Sequence, residues 1–363
     1  MLSEIGSDFW QCSFNLPNRE KKLWWESEDY YRVFFKSGRN AIKALAHLLK
    51  REGTRVLLPA YTCETVILPF LAEGFEIGYY GIKTDMSINI ESLLSLIKSF
   101  EPNAILFHSY FGFDTLSVDS NVIKDIHGKG ITIIEDITQS VFSNHFLECA
   151  DYYVSSLRKF LAIPDGGVLF SKKKFNVTGV VSPDRTLIST AVEAFDQKKE
   201  YITVSQDEVL KESFRERYVR LNQLIADNEF LRYINPESLQ IFKSCDIDDI
   251  SSKRCENYRR LKSVIYETDS VKSAIPDQLN GAVPLYFPIY VDGNRKQLQE
   301  YLAQNKVYCP VIWPRPSQVS CESEAVDYMY SHMLCIPIDQ RYGKAEIDKI
   351  EWLLREYREE GAR

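Results

Sequence analysis

One lysine stands out because of the residues that surround it. Lys159 lies in the segment SSLRKFLAIPDGGVLF, seven residues before Gly166, and the residues that follow it at 160–163 are apolar. A lysine in a loop is ordinarily a solvated surface cation. An apolar environment removes water from the ammonium group, lowers its pKa and leaves an amine that can form a Schiff base with a carbonyl compound. We therefore predict that Lys159 is a catalytic nucleophile.

Two polar residues upstream, in the segment ITIIEDITQS, have the chemistry to hold a nitrogen heterocycle. Asp136 ends a predicted buried strand, where a carboxylate either caps a following helix or keeps a pyridine nitrogen protonated. Gln139 follows three residues later, on the same face of such a helix, and its amide can donate a hydrogen bond to a phenolic oxygen. An exposed polar helix residue is the alternative interpretation of Gln139.

The segment SGRNAIKALAHLL at 37–49 predicts a helix whose N-terminus can bind an anion. Ser37 is a suitable N-cap, Gly38 allows the backbone to approach a neighbour closely, and the backbone of Arg39 and Asn40 contributes N–H groups. An ordinary capped helix would have the same sequence pattern. Along the chain, the segment is followed by the carboxylate of Asp136 and then by Lys159. Together, the three features predict a site for pyridoxal 5'-phosphate (PLP).

These residues are positioned by short apolar strands that alternate with amphipathic helices between about residues 37 and 172. Nearly continuous apolar strands separated by helices predict an α/β fold, with a mostly parallel sheet sandwiched by helices. Ligands of such sheets bind beyond the carboxyl ends of the strands, where His108, Asp136 and Ser155 lie. The predicted strands are 55–59, 76–82, 104–108, 131–135, 151–155 and 167–171; the predicted helices are 62–73, 90–99 and 118–129.

A second, smaller α+β unit is predicted at the C-terminal end. Residues 173–250 are polar, charged and largely helical in pattern, and strand and helix patterns alternate again from about residue 251. We predict a large cofactor-binding domain at 1–250, with an N-terminal arm at about 1–36, and a small domain at 251–363. In the small domain the patterns predict strands at 282–292 and 308–313 and helices at 253–266, 295–305 and 344–359.

Composition narrows the class of function. The chain of 363 residues has a net charge of −7, with 45% hydrophobic and 26% charged residues, which is typical of globular proteins. The sequence contains no basic block of the kind that indicates nucleic-acid binding, and it contains no apolar run long enough to cross a membrane. The eight cysteines form no C-x-x-C pair and the five histidines form no H-x-x-x-H pair, so no metal centre is predicted. Without a secretory signal, a cytoplasmic location is expected.

In the order SGRNA, EDITQ, SLRKF and PDGG, the chain resembles the DegT/DnrJ/EryC1/StrS family of PLP-dependent aminotransferases. The resemblance covers about residues 37–171, and it implies the aspartate-aminotransferase fold, fold type I. It further implies that Lys159 forms the Schiff base with PLP, that Asp136 pairs with the pyridine nitrogen and that Gln139 pairs with the phenolic oxygen. The phosphate would be bound by the N-terminus of the helix at residues Gly38, Arg39 and Asn40, and by Ser155 or Ser156.

Three departures from the family pattern concern residues around the cofactor. The family has an aromatic residue stacked on the ring, but the matching run here is AYTCE, which places Cys63 at that position and leaves Tyr61, Tyr110 or Phe111 as the stacking ring. Val154 replaces the serine found five residues before the lysine. The G-x-N motif that reaches a partner's phosphate is not evident, and Arg217 is the candidate substitute. Two further candidate site residues are His108, which ends a predicted strand, and Arg315, whose guanidinium could bind an anion.

The resemblance implies a homodimeric aminotransferase that moves an amino group from an amino-acid donor to a keto acceptor, such as a nucleotide-linked keto sugar. Because the cofactor breaks the bonds and the pocket selects which bond is broken, a PLP-dependent lyase, desulfurase or dehydratase is an alternative. A sensor or scaffold on the same fold, without catalysis, is a third possibility.

Overall fold

The computed structural model of the protein describes residues 2, 4–10, 17–264, 271–275 and 278–361. Its strands are β1 (Ile5–Gly6), β2 (Tyr31–Phe35), β3 (Arg55–Pro59), β4 (Glu76–Tyr80), β5 (Ala104–His108), β6 (Thr132–Asp136), β7 (Tyr152–Ser156), β8 (Gly167–Ser171), β9 (Val271–Ser273), β10 (Phe287–Val291), β11 (Val307–Tyr308) and β12 (Met333–Ile336). Its α-helices are α1 (Gly38–Leu49), α2 (Glu64–Ala72), α3 (Ile90–Phe100), α4 (Ser120–His127), α5 (Arg185–Thr203), α6 (Glu208–Ala226), α7 (Pro236–Ser244), α8 (Ile247–Val264), α9 (Arg295–Gln304), α10 (Glu324–His332) and α11 (Lys344–Gly361).

A seven-stranded sheet forms the centre of the molecule, in the order β2-β8-β7-β6-β5-β3-β4. Strands β4, β3, β5, β6 and β7 are parallel to one another, and β8 runs antiparallel to both β7 and β2. Helices α1 to α3 pack against it. The predicted α/β fold with a mostly parallel sheet is therefore confirmed. Since β2 is parallel to β7, the carboxyl ends of six strands meet at one edge, and the polar residues that follow them converge there.

Helices α5 and α6 form an antiparallel hairpin with its own hydrophobic cluster, which includes Phe195, Phe214 and Leu221. Each helix starts at an aspartate whose side chain accepts a hydrogen bond from a backbone N–H of the first turn, Asp184 for α5 and Asp207 for α6. Such caps satisfy N–H groups that have no partner inside the helix. The sequence predicted this helical region but not its pairing.

The C-terminal unit, as we call β9–β12 with α8–α11, contains a three-stranded antiparallel sheet in the order β12-β10-β9. Strand β1 pairs in parallel with β11, so the N-terminal segment is attached to this unit. Residue 250 lies inside α8, so the division predicted at 250/251 does not coincide with a break in secondary structure. The domain division itself stays a prediction. Residues 265–266, the end of one predicted helix, lie outside the described part of the chain.

The predicted strand at 308–313 is wrong for most of its length. Only Val307–Tyr308 pairs with another strand, and the residues from Cys309 to Trp313 form an irregular segment. Residues 309–313 are apolar because several of their side chains face a cavity or the protein interior. An apolar sequence pattern does not distinguish such a segment from a strand buried in a sheet. In the described part of the chain, no helix combines the length and apolar character needed to cross a bilayer.

Candidate active site

A cavity of about 390 Å³ lies at the carboxyl edge of the central sheet. One wall consists of residues at or just after the carboxyl ends of β2, β3, β5, β6 and β7, with Ile225 of α6, and the other consists of residues 285–286 and 310–313 of the C-terminal unit. We call these the sheet wall and the C-terminal wall. The lining residues that the sequence singled out are Ser37, Gly38, Arg39, Cys63, His108, Asp136, Gln139, Ser156 and Lys159.

Lys159 ends a short 3-10 turn, Leu157–Lys159, directly after β7. Its side chain is exposed, but it is exposed to the cavity that it lines. Although it is open to the cavity, the side chain loses part of its hydration to the surrounding protein, which lowers the pKa of Lys159; the neighbouring Arg158 lowers the pKa further, while Cys63 and Asp136 oppose the change. A larger fraction of free amine is therefore present near neutral pH than for a solvated lysine.

The C-terminal unit holds the segment that carries Lys159. Gln340 donates from Nε2 to the backbone oxygen of Phe160 at 2.7 Å, and the guanidinium of Arg254 lies 4.6 Å from the centre of the Phe160 ring. Arg254 is fully buried and donates to Gln340 Oε1 and to the backbone oxygens of Pro284 and Leu285. This Arg254 clasp is a positioning feature that the sequence did not reveal, because its members lie far apart in the chain.

Asp136 is buried at the end of β6 and divides its two oxygens between two partners. Oδ1 accepts a hydrogen bond from the N–H of Thr138 at 2.8 Å, and Oδ2 lies 3.5 Å from Nδ1 of His108. Nε2 of His108 is 2.8 Å from Oγ1 of Thr62. Burial lowers the pKa of His108, with Asp136 opposing the change, so the ring is neutral near pH 7. A neutral ring can donate from Nδ1 to Asp136 and accept at Nε2 from Thr62.

Gln139 lies in a turn and not in a helix, because no helix follows β6. Its Oε1 accepts a hydrogen bond at 2.6 Å from the N–H of Phe111, whose φ of 52° places it in the left-handed region. Among the described residues its amide nitrogen has no hydrogen-bond partner. Since Gln139 lines the cavity, that nitrogen is available as a donor to a ligand.

The N-terminus of α1 approaches β7 and β8 so closely that only glycine fits. A Cβ on Gly38 would lie 2.9 Å from Cβ of Ser156, and one on Gly167 would lie 2.2 Å from the backbone of Ser37. Oγ of Ser37 accepts the N–H of Asn40, which is thereby used as a cap. The amides left to face an anion are those of Gly38 and Arg39, since the first N–H groups of a helix lack partners within it.

Two expected phosphate ligands, Asn40 and Ser155, are therefore placed differently, whereas Ser156 lines the cavity as expected. The side chain of Asn40 is buried and accepts from the N–H of Arg232 at 2.9 Å, so Asn40 supports the loop after α6. Ser155 is fully buried, does not line the cavity, and has a hydroxyl without a hydrogen-bond partner among the described residues. Side chains alternate along a strand, so Ser156 faces the cavity. Its N–H donates to Oγ1 of Thr138, a lining residue that sequence reasoning missed.

The rings expected to stack on the cofactor lie beneath the cavity surface. Tyr61, Tyr110 and Phe111 are buried, and the hydroxyl of Tyr110 donates to the backbone oxygen of Tyr61 at 2.6 Å. This placement does not suit Tyr110 for ring stacking. The aromatic rings that line the cavity belong to His108, Tyr286 and Trp313; the rings of His108 and Trp313 lie beside Cys63 in the lining, with centroids 5.7 Å apart.

The two arginines considered from sequence are engaged elsewhere. Arg217 pairs through Nε with Glu193 at 3.0 Å on the α5–α6 hairpin. Arg315 pairs with Asp327 and donates to the backbone oxygen of Cys321. Neither lines the cavity. In the described residues, no group of three or more histidine, cysteine, aspartate or glutamate side chains is arranged to hold a metal ion.

The residues of the cavity fit PLP. The amides of Gly38 and Arg39 with the hydroxyls of Ser156 and Thr138 suit a phosphate, and any side chain larger than glycine at residue 38 would fill that cradle. Lys159 supplies an amine in the same cavity, while Asp136 and Gln139 supply the acceptor and the donor that a pyridine nitrogen and a phenolic oxygen require.

Comparison with solved structures confirms the predicted fold. The chain is similar to a DegT DnrJ EryC1 StrS aminotransferase from Brucella abortus, with a TM-score of 0.61 and 18% identity over 90% of this chain and 86% of that one. Helicobacter pylori PseC, an aminotransferase involved in the biosynthesis of pseudoaminic acid, matches with a TM-score of 0.63 and 15% identity, covering 90% and 86%. A mutant of GDP-4-keto-6-deoxymannose-3-dehydratase (ColD) with bound GDP-perosamine gives 0.62 and 17%, covering 89% and 88%. No model of a protein family matches the sequence, and no curated protein sequence matches it either.

Proposed function

We propose that this protein is a PLP-dependent aminotransferase that moves an amino group from an amino-acid donor to a keto acceptor. The observation that carries the proposal is the convergence of Lys159, Asp136, Gln139 and the N-terminus of α1 on one cavity. Each of these features occurs in proteins without PLP, but the cofactor's aldehyde, ring nitrogen, phenolic oxygen and phosphate need all four at once. PLP, when bound, withdraws electrons from the substrate carbon that carries the amino group.

The chain's own residues then have separate tasks. The Gly38 and Arg39 amides bind the phosphate, and Ser156 and Thr138 add hydroxyl donors. Asp136, oriented by Thr138 and His108, holds a proton on the ring nitrogen. Nζ of Lys159 would hold the cofactor's aldehyde carbon, and as a free amine it would move a proton to and from the substrate carbon as a general base and acid. Its lowered pKa suits this role, because the amine must be neutral to accept that proton.

The solved structures support the choice of reaction. Their descriptions name aminotransferases of the DegT type and a sugar aminotransferase, CalS13 from Micromonospora echinospora. We propose a nucleotide-linked keto sugar as one class of acceptor. The ColD structure is described as a dehydratase, so PLP-dependent elimination is the second candidate.

We further propose a homodimer in the cytoplasm. Exposed apolar side chains on α2, Leu68 and Leu71, support an interface close to the cavity. The seven cysteines described by the structure are free thiols, which suits a reducing compartment. Light scattering during gel filtration measures the mass, and a monomer at micromolar concentration would contradict the dimer.

Borohydride trapping tests the function directly. The protein is incubated with PLP, reduced with borohydride, digested and analysed by mass spectrometry. We expect a pyridoxyl group on the peptide containing Lys159 and none on it in Lys159→Ala, with transamination reduced about 10⁴-fold. Lys344→Ala, which removes a surface lysine paired with Asp348, is the control and should keep both the label and the activity.

The donor half-reaction separates the candidates. Conversion of the bound PLP to the pyridoxamine form by an amino acid supports transamination. Ammonia or water released from the substrate, without that conversion, supports elimination. Absence of a pyridoxyl label on wild-type Lys159 would refute both and leave the sensor or scaffold.

A further inference from the structure

Arg158 lies where two cavities meet. Beside the active-site cavity is a second one of about 680 Å³, which we call the outer chamber. It lies between the N-terminal segment at 6–9, the α5–α6 hairpin and the C-terminal unit. Arg158 and Lys159 line both cavities, together with Tyr286 and Pro310. Any molecule that enters the active site from the outer chamber therefore passes these two side chains.

The guanidinium of Arg158 makes no hydrogen bond or ion pair with any described residue, and its Nε is buried without a partner. Four other arginines also bury Nε without a partner: Arg19, Arg39, Arg232 and Arg260. Each of those donates from another guanidinium nitrogen, to Phe242 O, Ala226 O, Ser182 O and Glu256 respectively. A partly desolvated cation without a partner is costly, so the exception at Arg158 indicates a missing anion.

The surroundings of Arg158 show where that anion would be bound. Burial lowers the pKa of Arg158, and Asp8, Asp165 and Tyr218 oppose this change without forming an ion pair with it. Asp8 and Tyr218 line the outer chamber and not the active-site cavity, whereas Arg158 and Lys159 line both, so an anion bound by Arg158 at the junction would lie in space that Lys159 also lines. Apart from Lys159, the other basic residues that line the chamber are paired, Arg341 with Asp339 at 2.7 Å and Lys296 with Glu300 at 3.6 Å.

We infer that Arg158 binds the α-carboxylate of the amino-acid donor. The inference rests on the proposed function and deepens it. In an α-amino acid the carboxylate is attached to the carbon that bears the amino group, so a cation that lines the same two cavities as Lys159 can hold that carbon near Nζ. The planar guanidinium can bind a carboxylate through two parallel hydrogen bonds, which fixes the direction of the donor as well as its position.

The test compares donors with and without an α-carboxylate in the PLP-loaded protein. Stopped-flow absorbance follows the donor half-reaction with L-glutamate and 4-aminobutyrate, and with L-alanine and ethylamine. In Arg158→Ala we expect the apparent second-order rate constant for the two amino acids to fall about 100-fold. The two amines should be affected less than about threefold relative to wild type. Arg158→Lys, which keeps the charge but loses the planar fork, should lose about 10-fold.

Controls separate this role from folding and from cofactor binding. Arg260→Ala, which removes an arginine with the same unpartnered Nε on the surface of α8, should leave both rates unchanged. PLP content after dialysis should be the same in Arg158→Ala as in wild type. If Arg158→Ala does not fold, as judged by circular dichroism, Arg158→Lys carries the comparison.

Three outcomes would overturn the inference: an equal loss for amino acids and amines, no loss for either, or a loss of PLP, which would assign Arg158 to the cofactor phosphate. If wild type retains PLP but converts no donor, transamination fails. Calorimetric titration with maleate, a dicarboxylate that cannot react, then decides the inference separately. Weaker binding in Arg158→Ala would keep the anion site, and equal binding would refute it.

Discussion

Buried or partly buried cations lie in the sheet wall of the active-site cavity and in the C-terminal unit behind the opposite wall, but their hydrogen bonding differs. On the sheet wall, Arg158 has no partner among the described residues, and Lys159 and the amides of Gly38 and Arg39 face the cavity. In the C-terminal unit, Arg254 makes three hydrogen bonds and Asn257 donates to the backbone oxygens of residues 338, 339 and 342. Polar groups without a hydrogen-bond partner in the protein can bind a ligand, whereas polar groups whose hydrogen bonds are all made within the protein stabilise the fold. Three variants test whether this division holds.

The largest effect is expected on the sheet wall, at Asp136. Asp136→Asn keeps an oxygen for the N–H of Thr138 and so preserves the turn. It loses the charge that would hold a proton on the cofactor's nitrogen, and we expect kcat to fall about 10³-fold. The free energy of unfolding, measured with urea, should change by less than about 1 kcal/mol.

Reconstitution of Asp136→Asn with PLP methylated on the ring nitrogen provides the control, since a permanent positive charge replaces the proton. Partial recovery of kcat is expected. A destabilisation of several kcal/mol would show that this carboxylate stabilises the fold. The sheet wall would then not be reserved for groups that bind a ligand.

The second variant tests the C-terminal unit. Arg254→Leu leaves the backbone oxygens of Pro284 and Leu285 and the Oε1 of Gln340 without their donor. It also removes the cation from the Phe160 ring. Since the site is fully buried, we expect the free energy of unfolding to fall by about 3 kcal/mol.

At saturating PLP and below the unfolding transition, kcat of Arg254→Leu should decrease less than about 10-fold, a modest effect through the position of Lys159. Gln340→Ala, which removes the bond to the Phe160 oxygen alone, should have a smaller effect of the same kind. A loss of kcat by about 10³-fold with unchanged stability would place Arg254 in the catalytic machinery and remove the distinction between the walls.

The third variant sharpens the comparison to two adjacent residues. Glu135 lies beside Asp136 but is fully buried on the opposite face of β6, where it accepts hydrogen bonds from Ser109 Oγ at 2.5 Å and Leu147 N at 2.7 Å. Burial raises the pKa of Glu135 to about 7, although both hydrogen bonds oppose the change. A carboxyl with a raised pKa in the folded state favours folding at low pH, and this contribution is lost as pH rises through about 7.

Wild type should therefore lose about 2 kcal/mol of stability from Glu135 between about pH 5 and pH 7. Glu135→Gln, which cannot ionise, should show a flatter profile across this interval in urea unfolding. An unchanged slope would mean that Glu135 titrates at its usual pKa and is not desolvated.

The sheet wall was the part of the molecule most accessible from sequence. The strands at 55–59, 104–108 and 167–171 were predicted with their observed bounds, because buried parallel strands are apolar throughout and end at turns. Lys159, Asp136 and Gln139 follow from the same logic, since polar residues after such strands gather at one edge. The sequence shows less clearly which face of a strand a given side chain occupies. For this reason it could not tell whether Ser155 or Ser156 faces the cavity.

The C-terminal wall was not predictable in the same way. Trp313 lies in an apolar run that resembles a strand, and the Arg254 clasp joins residues separated by 86 positions in the chain. Such contacts depend on how two units pack, and local sequence patterns carry no information about that packing. Arg158 lies between these two cases. The sequence shows a second cation beside Lys159, but only the packing of the two units shows that its guanidinium has no partner among the described residues.

The order in which the chain is synthesised gives the cavity one more property. Its lining begins at Ser37 and ends at Trp313, so the central sheet can form on the ribosome well before the last lining residue has emerged. A ligand held by both walls can therefore stabilise only an almost finished chain. The cofactor, whose proposed ligands all belong to the sheet wall, would gain the cover of the C-terminal wall only late in biogenesis, and it would then protect completed molecules from proteolysis.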